Sequence, residues 1–216
     1  MGLYELDGRI YDAVQLIFTF GIQERERIKQ RALAKLDLQA GTRVLDWGCG
    51  TGMSLKPIQN QLSEGRIYAV ERSASMLKRA VARAKNTDKL EFYFILGNGL
   101  NINLPEKVDV AVASYSLGVL EPEELEKGVE AIWRNMKSDG RVVIVDTEIP
   151  GAETLIARIY QPILKFVLLH VFEDKYSNRL MPTIKRFFEQ IDVEQVPAMT
   201  AIAFLGKRRD VALPGA

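Results

Sequence analysis

"RVLDWGCGTG", Arg43–Gly52, is the stretch that decides the fold. Val44 and Leu45 have strand character, Asp46 follows them, and Gly48, Gly50 and Gly52 then occupy alternate positions. Glycine weakens strands and helices alike, so its clustering at a strand exit needs a steric or chemical reason. A tight turn is one reason. Close approach of a ligand to bare backbone is the other, and this spacing favours it.

Outward from this stretch, strand and helix patterns alternate. Arg43–Trp47 reads as strand, 51–62 as helix, Arg66–Glu71 as strand and 73–86 as helix, with Ser73 or Ser75 as its cap. Leu90–Leu96 and 108–115 read as further strands. Residues 122–136 form a helix with Pro122 in its first turn and acids beside it, and 140–147 is the next strand. Several strands are apolar nearly throughout, as expected where helices cover both faces of a parallel sheet. A helix at 183–190 and strand candidates at 193–198 and 200–205 complete the pattern. The fold class is α/β: a doubly wound, mostly parallel, seven-stranded sheet. Residues 1–206 are expected to make one domain. Within it, 1–40 form a helical lid, 41–150 the ligand-binding core and 151–206 the substrate-side helices and last strands; 207–216 are a flexible tail.

The chain has 216 residues, 47% hydrophobic and 26% charged, the profile of an ordinary globular domain. Lys+Arg of 29 against Asp+Glu of 28 leaves a formal charge of +1, which argues against a nucleic-acid partner. The lone Cys49 cannot form an internal disulfide, and no secretory signal opens the sequence. Leu155–Phe172 is strongly apolar but interrupted by Arg158, Gln161, Pro162 and Lys165, so it does not read as a membrane span. A cytoplasmic setting, with possible peripheral contact at a membrane surface, is the expectation.

The glycine loop lacks the Gly-Lys-Ser/Thr ending of a nucleoside-triphosphate loop and reads G-C-G-T-G instead of G-x-G-x-x-G. Asp46 would repel a pyrophosphate and suits a cation. "VLDWGCGTG" resembles motif I of the class I S-adenosylmethionine-dependent methyltransferases, whose cofactor carries a sulfonium and an ammonium. Glu71, ending "YAVERS", stands about 20 residues past the glycines, where an acid holds ribose hydroxyls. "LGNGLNINLP" resembles the third-strand loop of that family, with Asn98 in place of the usual acid against the adenine amino group. "VDVAVASYSLGVL" resembles the fourth-strand motif, which puts Ser114 and Tyr115 beside the methyl-bearing end. "YDAVQLIFTFGI" (11–22) is similar to the opening of the ubiquinone/menaquinone C-methyltransferases, with Gln15 and Thr19 in place of Asn and Ser; that helix lids the cofactor. "GTGMSL" resembles the bacterial phospholipid N-methyltransferases, and "SYSLGVLEP" departs from the quinone enzymes' Phe-Gly-x-Arg-Asn run.

The resemblance implies an S-adenosylmethionine-dependent methyltransferase acting on a small lipophilic acceptor, either a quinone-type ring carbon or a phospholipid amine. The expected cofactor-binding residues are Tyr11, Asp46, Gly48, Cys49, Gly50, Gly52, Glu71, Arg72, Met76, Asn98, Gly99, Ser114 and Tyr115. No metal is expected: His170 and Cys49, each the only one of its kind, cannot build a typical ligand cluster. Methyl transfer needs placement above all, and a base only if the acceptor must lose a proton. Tyr11, Tyr115 and His170 lead the candidates for that base, followed by Tyr160 and Glu148. Leu155–Phe172 is either a buried cap helix or a greasy lid whose Arg158 and Lys165 meet lipid phosphates. The rival functions are a dinucleotide-dependent oxidoreductase and a cofactor-binding partner subunit without turnover.

Overall fold

The computed structural model describes residues 22–36, 38–85, 87–147, 179–196 and 201–211. Tyr11, Tyr160, His170, Glu148 and Leu155–Phe172 lie outside them, as do the expected lid before Ile22 and most of the expected substrate-side segment.

Helix α1 (Ile22–Ala34) leads into β1 (Thr42–Trp47), α2 (Leu55–Gln61), β2 (Gly65–Glu71), α3 (Ala74–Arg83) and β3 (Leu90–Leu96). After a 3₁₀ turn at Gly99–Asn101 come β4 (Val108–Ser114), α4 (Pro122–Asn135), β5 (Met136–Thr147), α5 (Leu180–Phe187), β6 (Phe188–Val196) and β7 (Ala201–Arg208). The seven strands form one sheet in the order β3-β2-β1-β4-β5-β7-β6. β1 to β5 pair in parallel, and β7 runs antiparallel to both β5 and β6. The order reverses at β1, so the crevice beyond the carboxyl ends of β1 and β4 is where a doubly wound sheet binds its ligand.

Alternation along β1 sets the two faces. Val44 packs with Ile28 and Leu33 of α1, Leu36 in the turn after it, Leu55 and Ile58 of α2, and Leu77 and Ala80 of α3. Leu45 and Trp47 face the opposite layer, with Val129, Ile132 and Trp133 of α4 and Ile184 and Phe187 of α5. Covered on both faces, the buried positions of β1 and β4 are apolar. Asp46 is the exception, and it lies on the α1 side by parity with Val44.

The boundaries differ from the sequence reading in four places. The stretch 51–54 forms turns, and α2 starts only at Leu55. β5 begins at Met136 directly out of α4, with a register shift against β4 between Val108 and Val110. The helix expected at 183–190 occupies Leu180–Phe187, and the strand after it begins at Phe188. The last strand also continues past 206: Lys207 pairs across to Arg141 and Glu189, and the Arg209 N–H donates to the Phe187 carbonyl at 2.9 Å. Ladder hydrogen bonds therefore hold part of the stretch assigned to the tail.

Candidate functional site

The β1 exit turns sharply. Gly48, Gly50 and Gly52 all have positive φ, at 68°, 55° and 82°, a region costly to residues with a Cβ. Their surroundings divide them. A Cβ on Gly48 would stand 2.6 Å from the Ser116 Cβ, and one on Gly52 would stand 2.8 Å from the Ala80 Cα. A Cβ on Gly50 would meet nothing within 4 Å. Gly48 and Gly52 are bare so that the loop can pack against β4's exit and α3, whereas Gly50 opens onto free space.

That space is a cavity of about 150 Å3. Its floor is Gly48, Cys49, Gly50 and Thr51. Glu71, Arg72 and Met76 bound it on the β2 side, and Gly97, Asn98, Gly99 and Leu100 beyond β3. Ser114, Tyr115 and Ser116 close it at β4, with Val119, Leu120 and Glu124 beyond them and Met53 and Ser54 beside the loop. Glu26 and Lys29 of α1 complete the wall.

Hydrogen bonds fix each segment. Glu71 accepts from the Gly50 N–H at 3.0 Å with one carboxylate oxygen and from the Ser73 N–H at 2.8 Å with the other, tying the glycine loop to the start of α3. Each oxygen keeps a further lone pair. Asn98 Oδ1 accepts from the Leu100 N–H at 3.0 Å and caps the 3₁₀ turn. Trp47 Nε1 donates to the Gly99 carbonyl at 3.0 Å, locking that loop to β1. Asn135, buried at the end of α4, donates to the Ile102 carbonyl and accepts from the Leu104 N–H, which fixes the same connection from below. At the β4 exit Tyr115 takes φ 53°, unusual for a residue with a Cβ and a mark of a functional turn. Asp146, buried at the end of β5, accepts from the Leu117 and Gly118 N–H groups at 3.0 and 2.9 Å, and Ser116 Oγ donates to the Trp47 carbonyl at 3.0 Å. The loop after β4 is thereby held to two neighbouring strands.

The electrostatics centre on Asp46. It is fully buried, and among the described residues neither carboxylate oxygen has a hydrogen-bond partner. Burial pushes its carboxyl up to about 7; the Lys29 charge opposes the shift and the Glu71 charge adds to it. Burial, then the Asp46 and Glu71 charges, also push the Cys49 thiol up, so the thiolate is suppressed and Cys49 is a small neutral filler in the loop.

Most of the residues expected from sequence come together. Gly48, Cys49, Gly50, Glu71, Arg72, Met76, Asn98, Gly99, Ser114 and Tyr115 all line the cavity. Two do not: Gly52 packs under the loop against α3, and Asp46 lies beneath the loop, behind the wall. Any effect of Asp46 on a ligand is therefore exerted by charge from behind. Tyr11 and His170 lie outside the described residues. The sequence reading missed Trp47, Ser116, Glu26 and Lys29. Lys29 left a trace: with Ile28, Ala32 and Leu33 it falls on the buried stripe of α1, a cation where the helix should be apolar.

Among the described residues no group of His, Cys, Asp and Glu can hold a metal ion, and no helix is long and apolar enough to cross a membrane.

Comparison with known proteins agrees with the geometry. Residues 44–140, which span the glycine loop, Glu71, Asn98 and the β4 exit, match the family model for a methyltransferase domain. A demethylmenaquinone methyltransferase from Clavibacter sepedonicus is 29% identical over 159 residues, covering 73% of this chain and 61% of that protein. The corresponding protein of Lactococcus lactis is 25% identical over 141 residues, and this chain spans 55% of its length. Among solved structures, the N-methyltransferase NodS from Bradyrhizobium japonicum, in complex with S-adenosyl-L-homocysteine, superposes with a TM-score of 0.63 at 13% identity, covering 86% of this chain and 88% of that one. Mycolic acid cyclopropane synthase CmaA1, complexed with S-adenosyl-L-homocysteine and CTAB, gives 0.66 at 14% identity, covering 83% and 82%. Residues 44–140 are thus similar to a methyltransferase domain, the seven-stranded α/β sheet has the fold of these solved structures, and the chain resembles the demethylmenaquinone methyltransferases, of whose length it spans little more than half.

Proposed function

We propose that this protein transfers a methyl group from S-adenosylmethionine to a small lipophilic acceptor, with a quinone-type ring carbon ahead of a phospholipid amine. One observation carries the cofactor reading: a bare loop at Gly50 opens onto a cavity backed by a fully buried carboxylate that has no hydrogen-bond partner among the described residues. A buried, unsatisfied carboxylate is costly, and its retention is explained by a cation that arrives with the ligand. A dinucleotide fits less well, because Glu26, Glu71 and Glu124 on the wall and Asp46 behind it outnumber the cations Lys29 and Arg72 and would oppose a pyrophosphate.

The residues suit the cofactor part by part. Glu71 can accept ribose hydroxyls through the lone pairs left after its two backbone bonds. Asn98, its oxygen engaged with the Leu100 N–H, keeps amide donors that would face the adenine edge, and Leu100 and Met76 on the wall would pack on the ring. Asp46 would lend negative potential from beneath the loop to a positively charged group of the cofactor. When bound, the cofactor supplies an electrophilic methyl on a sulfonium. The chain's own contribution is placement and exclusion of water, since orientation alone is worth roughly 7–11 kcal/mol. Ser114 and Tyr115, on the turn pinned by Asp146, would set the acceptor's approach. Among the described residues Tyr115 is the base candidate on the cavity wall; Tyr11 and His170, outside them, remain candidates. Support for a lipophilic acceptor comes from Met53, Val119 and Leu120 on the wall and from the relatives' quinone chemistry.

The test is labelled S-adenosylmethionine offered with a demethylated naphthoquinol or with phosphatidylethanolamine vesicles. Label in the naphthoquinone is the expected result. Label in the phospholipid alone would move the acceptor to the amine class, and failure of calorimetry to detect S-adenosylhomocysteine binding would overturn the cofactor reading.

A further inference from the structure

The two faces of the sheet carry helices of different charge. On one face α2 and α3 bear Lys56, Lys78, Arg79 and Arg83 and no acid, and Lys85 follows α3. On the other, α4 bears Glu123, Glu124, Glu126 and Glu130 against Lys127 and Arg134. Arg83 is held within the fold by its bond to the Thr51 carbonyl. Lys56, Lys78 and Lys85 are exposed, and among the described residues they make no ion pair. The acids that follow the two helices, Glu64 and Asp88, stand just ahead of β2 and β3, at the amino-terminal edge of the sheet.

These lysines share one surface. The Gln59 amide donates to the Lys85 carbonyl at 2.9 Å, which sets the end of α2 beside the end of α3. Met53, in the turn ahead of α2, and Lys56 within it are exposed at helical spacing, as are Lys78, Val81 and Lys85 on the neighbour. Met53 and Val81, 43% and 49% exposed, are apolar groups set among the ammonium groups. A helix face that merely meets water intersperses acids with its lysines. Lysines interspersed with apolar side chains suit the surface of an anionic bilayer, where the ammonium groups meet phosphates and the apolar groups reach the acyl boundary. Met53 also lines the cavity, so this surface extends to the cavity's rim.

We infer that the α2–α3 face docks on an anionic phospholipid bilayer, with Lys56, Lys78 and Lys85 on the headgroups and Met53 and Val81 dipping between them. Such attachment is peripheral: the helices lie on the bilayer and do not enter it. Its use rests on the function proposed above. Docked this way, the rim at Met53 faces the layer that dissolves a lipophilic acceptor, which then reaches the cavity without crossing water. A nucleic acid is the other polyanion that such a charge could meet. The bilayer is favoured because neither helix carries an aromatic ring on which a base could stack, whereas aliphatic groups stand among the lysines.

Sedimentation of the full chain with vesicles tests this. The protein should bind vesicles of equal parts phosphatidylglycerol and phosphatidylcholine, should ignore phosphatidylcholine alone, and should be released by salt. Each lysine at an anionic surface is worth about a factor of five, so Lys56→Gln, Lys78→Gln and Lys85→Gln together should lower partitioning about 100-fold. The three corresponding arginine substitutions should preserve it. Affinity of the glutamine variant for S-adenosylhomocysteine should stay within about 2-fold, since none of the three lysines lines the cavity. Lys78→Gln alone, with a loss of about 5-fold, carries the comparison should the triple variant fail to fold. Absence of wild-type binding to the anionic vesicles, equal binding to both vesicle types, or unchanged partitioning of the glutamine variant overturns the docking surface. So does lysine-dependent binding to a single-stranded oligonucleotide without binding to vesicles. Each of these results leaves the cofactor reading standing; that reading falls only where S-adenosylhomocysteine fails to bind the wild type.

Discussion

At the amino-terminal edge of the sheet, Glu106 accepts from the Tyr68 hydroxyl at 2.6 Å and pairs with Arg43 and Arg66 at 2.9 Å each, within reach of solvent. At the carboxyl-terminal edge Asp46 is dry, and its oxygens have no hydrogen-bond partner among the described residues. Both acids belong to the same sheet, yet their titration is displaced in opposite directions. Hydrogen bonds from Tyr68 and Arg66 hold the Glu106 carboxyl below its ordinary value, whereas burial pushes Asp46 up to about 7. The first edge has its charges satisfied by the chain and serves to join β1, β2 and the approach to β4. The second lacks such satisfaction, as a binding edge must if a ligand is to complete it.

Breaking the contrast at Asp46 should give the largest effect. Asp46→Asn removes the buried charge, and affinity for S-adenosylhomocysteine should fall about 100-fold by calorimetry. Stability should move the other way. A carboxyl whose pKa rises on folding, here from 3.8 to about 7, contributes stability that is present below about pH 4 and lost as pH climbs through 7. The full shift corresponds to about 4 kcal/mol. The substituted protein should therefore lose that slope and unfold about 2 kcal/mol later than wild type at pH 8, as read by denaturant titration. In the wild type a bound cation favours ionised Asp46, so affinity should drop about 10-fold from pH 8 to pH 6 with uptake of the linked proton by the free protein. A flat affinity profile would remove Asp46 from the binding account.

The glycine loop contains the same division within a few residues. Gly52→Ala drives a methyl into the Ala80 backbone at 2.8 Å in a left-handed conformation, and about 3 kcal/mol of stability should be lost. Gly50→Ala meets open space and should cost only about 1–2 kcal/mol for its φ of 55°, but its methyl enters the cavity and should weaken ligand binding more than 10-fold. Comparing denaturant midpoints with calorimetry separates the two. If both variants lost stability alike and bound alike, the loop's glycines would have a single role.

How much of this was legible beforehand depends on the range of the interactions involved. The alternating strands and helices, the loop and the acid at position 71 are local patterns, and the chain folds as they indicate. Ser73 caps α3, accepting from the Met76 N–H at 3.4 Å. The boundaries at 51–54 and 136 moved because tertiary packing decides where a turn ends and a strand begins. The roles of Gly48 and Gly52 were hidden, since Ser116 and Ala80 reach them only through the fold. The burial of Asp46 behind the wall was hidden for the same reason. Lys29 could have been found as a charge on an apolar stripe, but its place on the wall of the cavity at the β1 exit emerges only in the fold.

The smallest effect should lie at the satisfied edge. Glu106→Gln keeps the side-chain shape and removes the charge that Arg43 and Arg66 share. Exposed ion pairs are each worth well under 1 kcal/mol, and an amide still accepts from Tyr68, so the loss should be about 1 kcal/mol and should shrink in high salt. Because the native carboxyl titrates below its ordinary value, the wild type's extra stability exists above the carboxylate range and disappears on acidification. Glu106→Gln should therefore match wild type at about pH 3 and fall behind it at pH 7, the reverse of the Asp46→Asn profile. S-adenosylhomocysteine affinity should stay within about 2-fold, because the substitution is made at the opposite end of the strands. A matched loss of binding at Glu106 would mean that the two edges are coupled through β1 and that the contrast between them is one of degree.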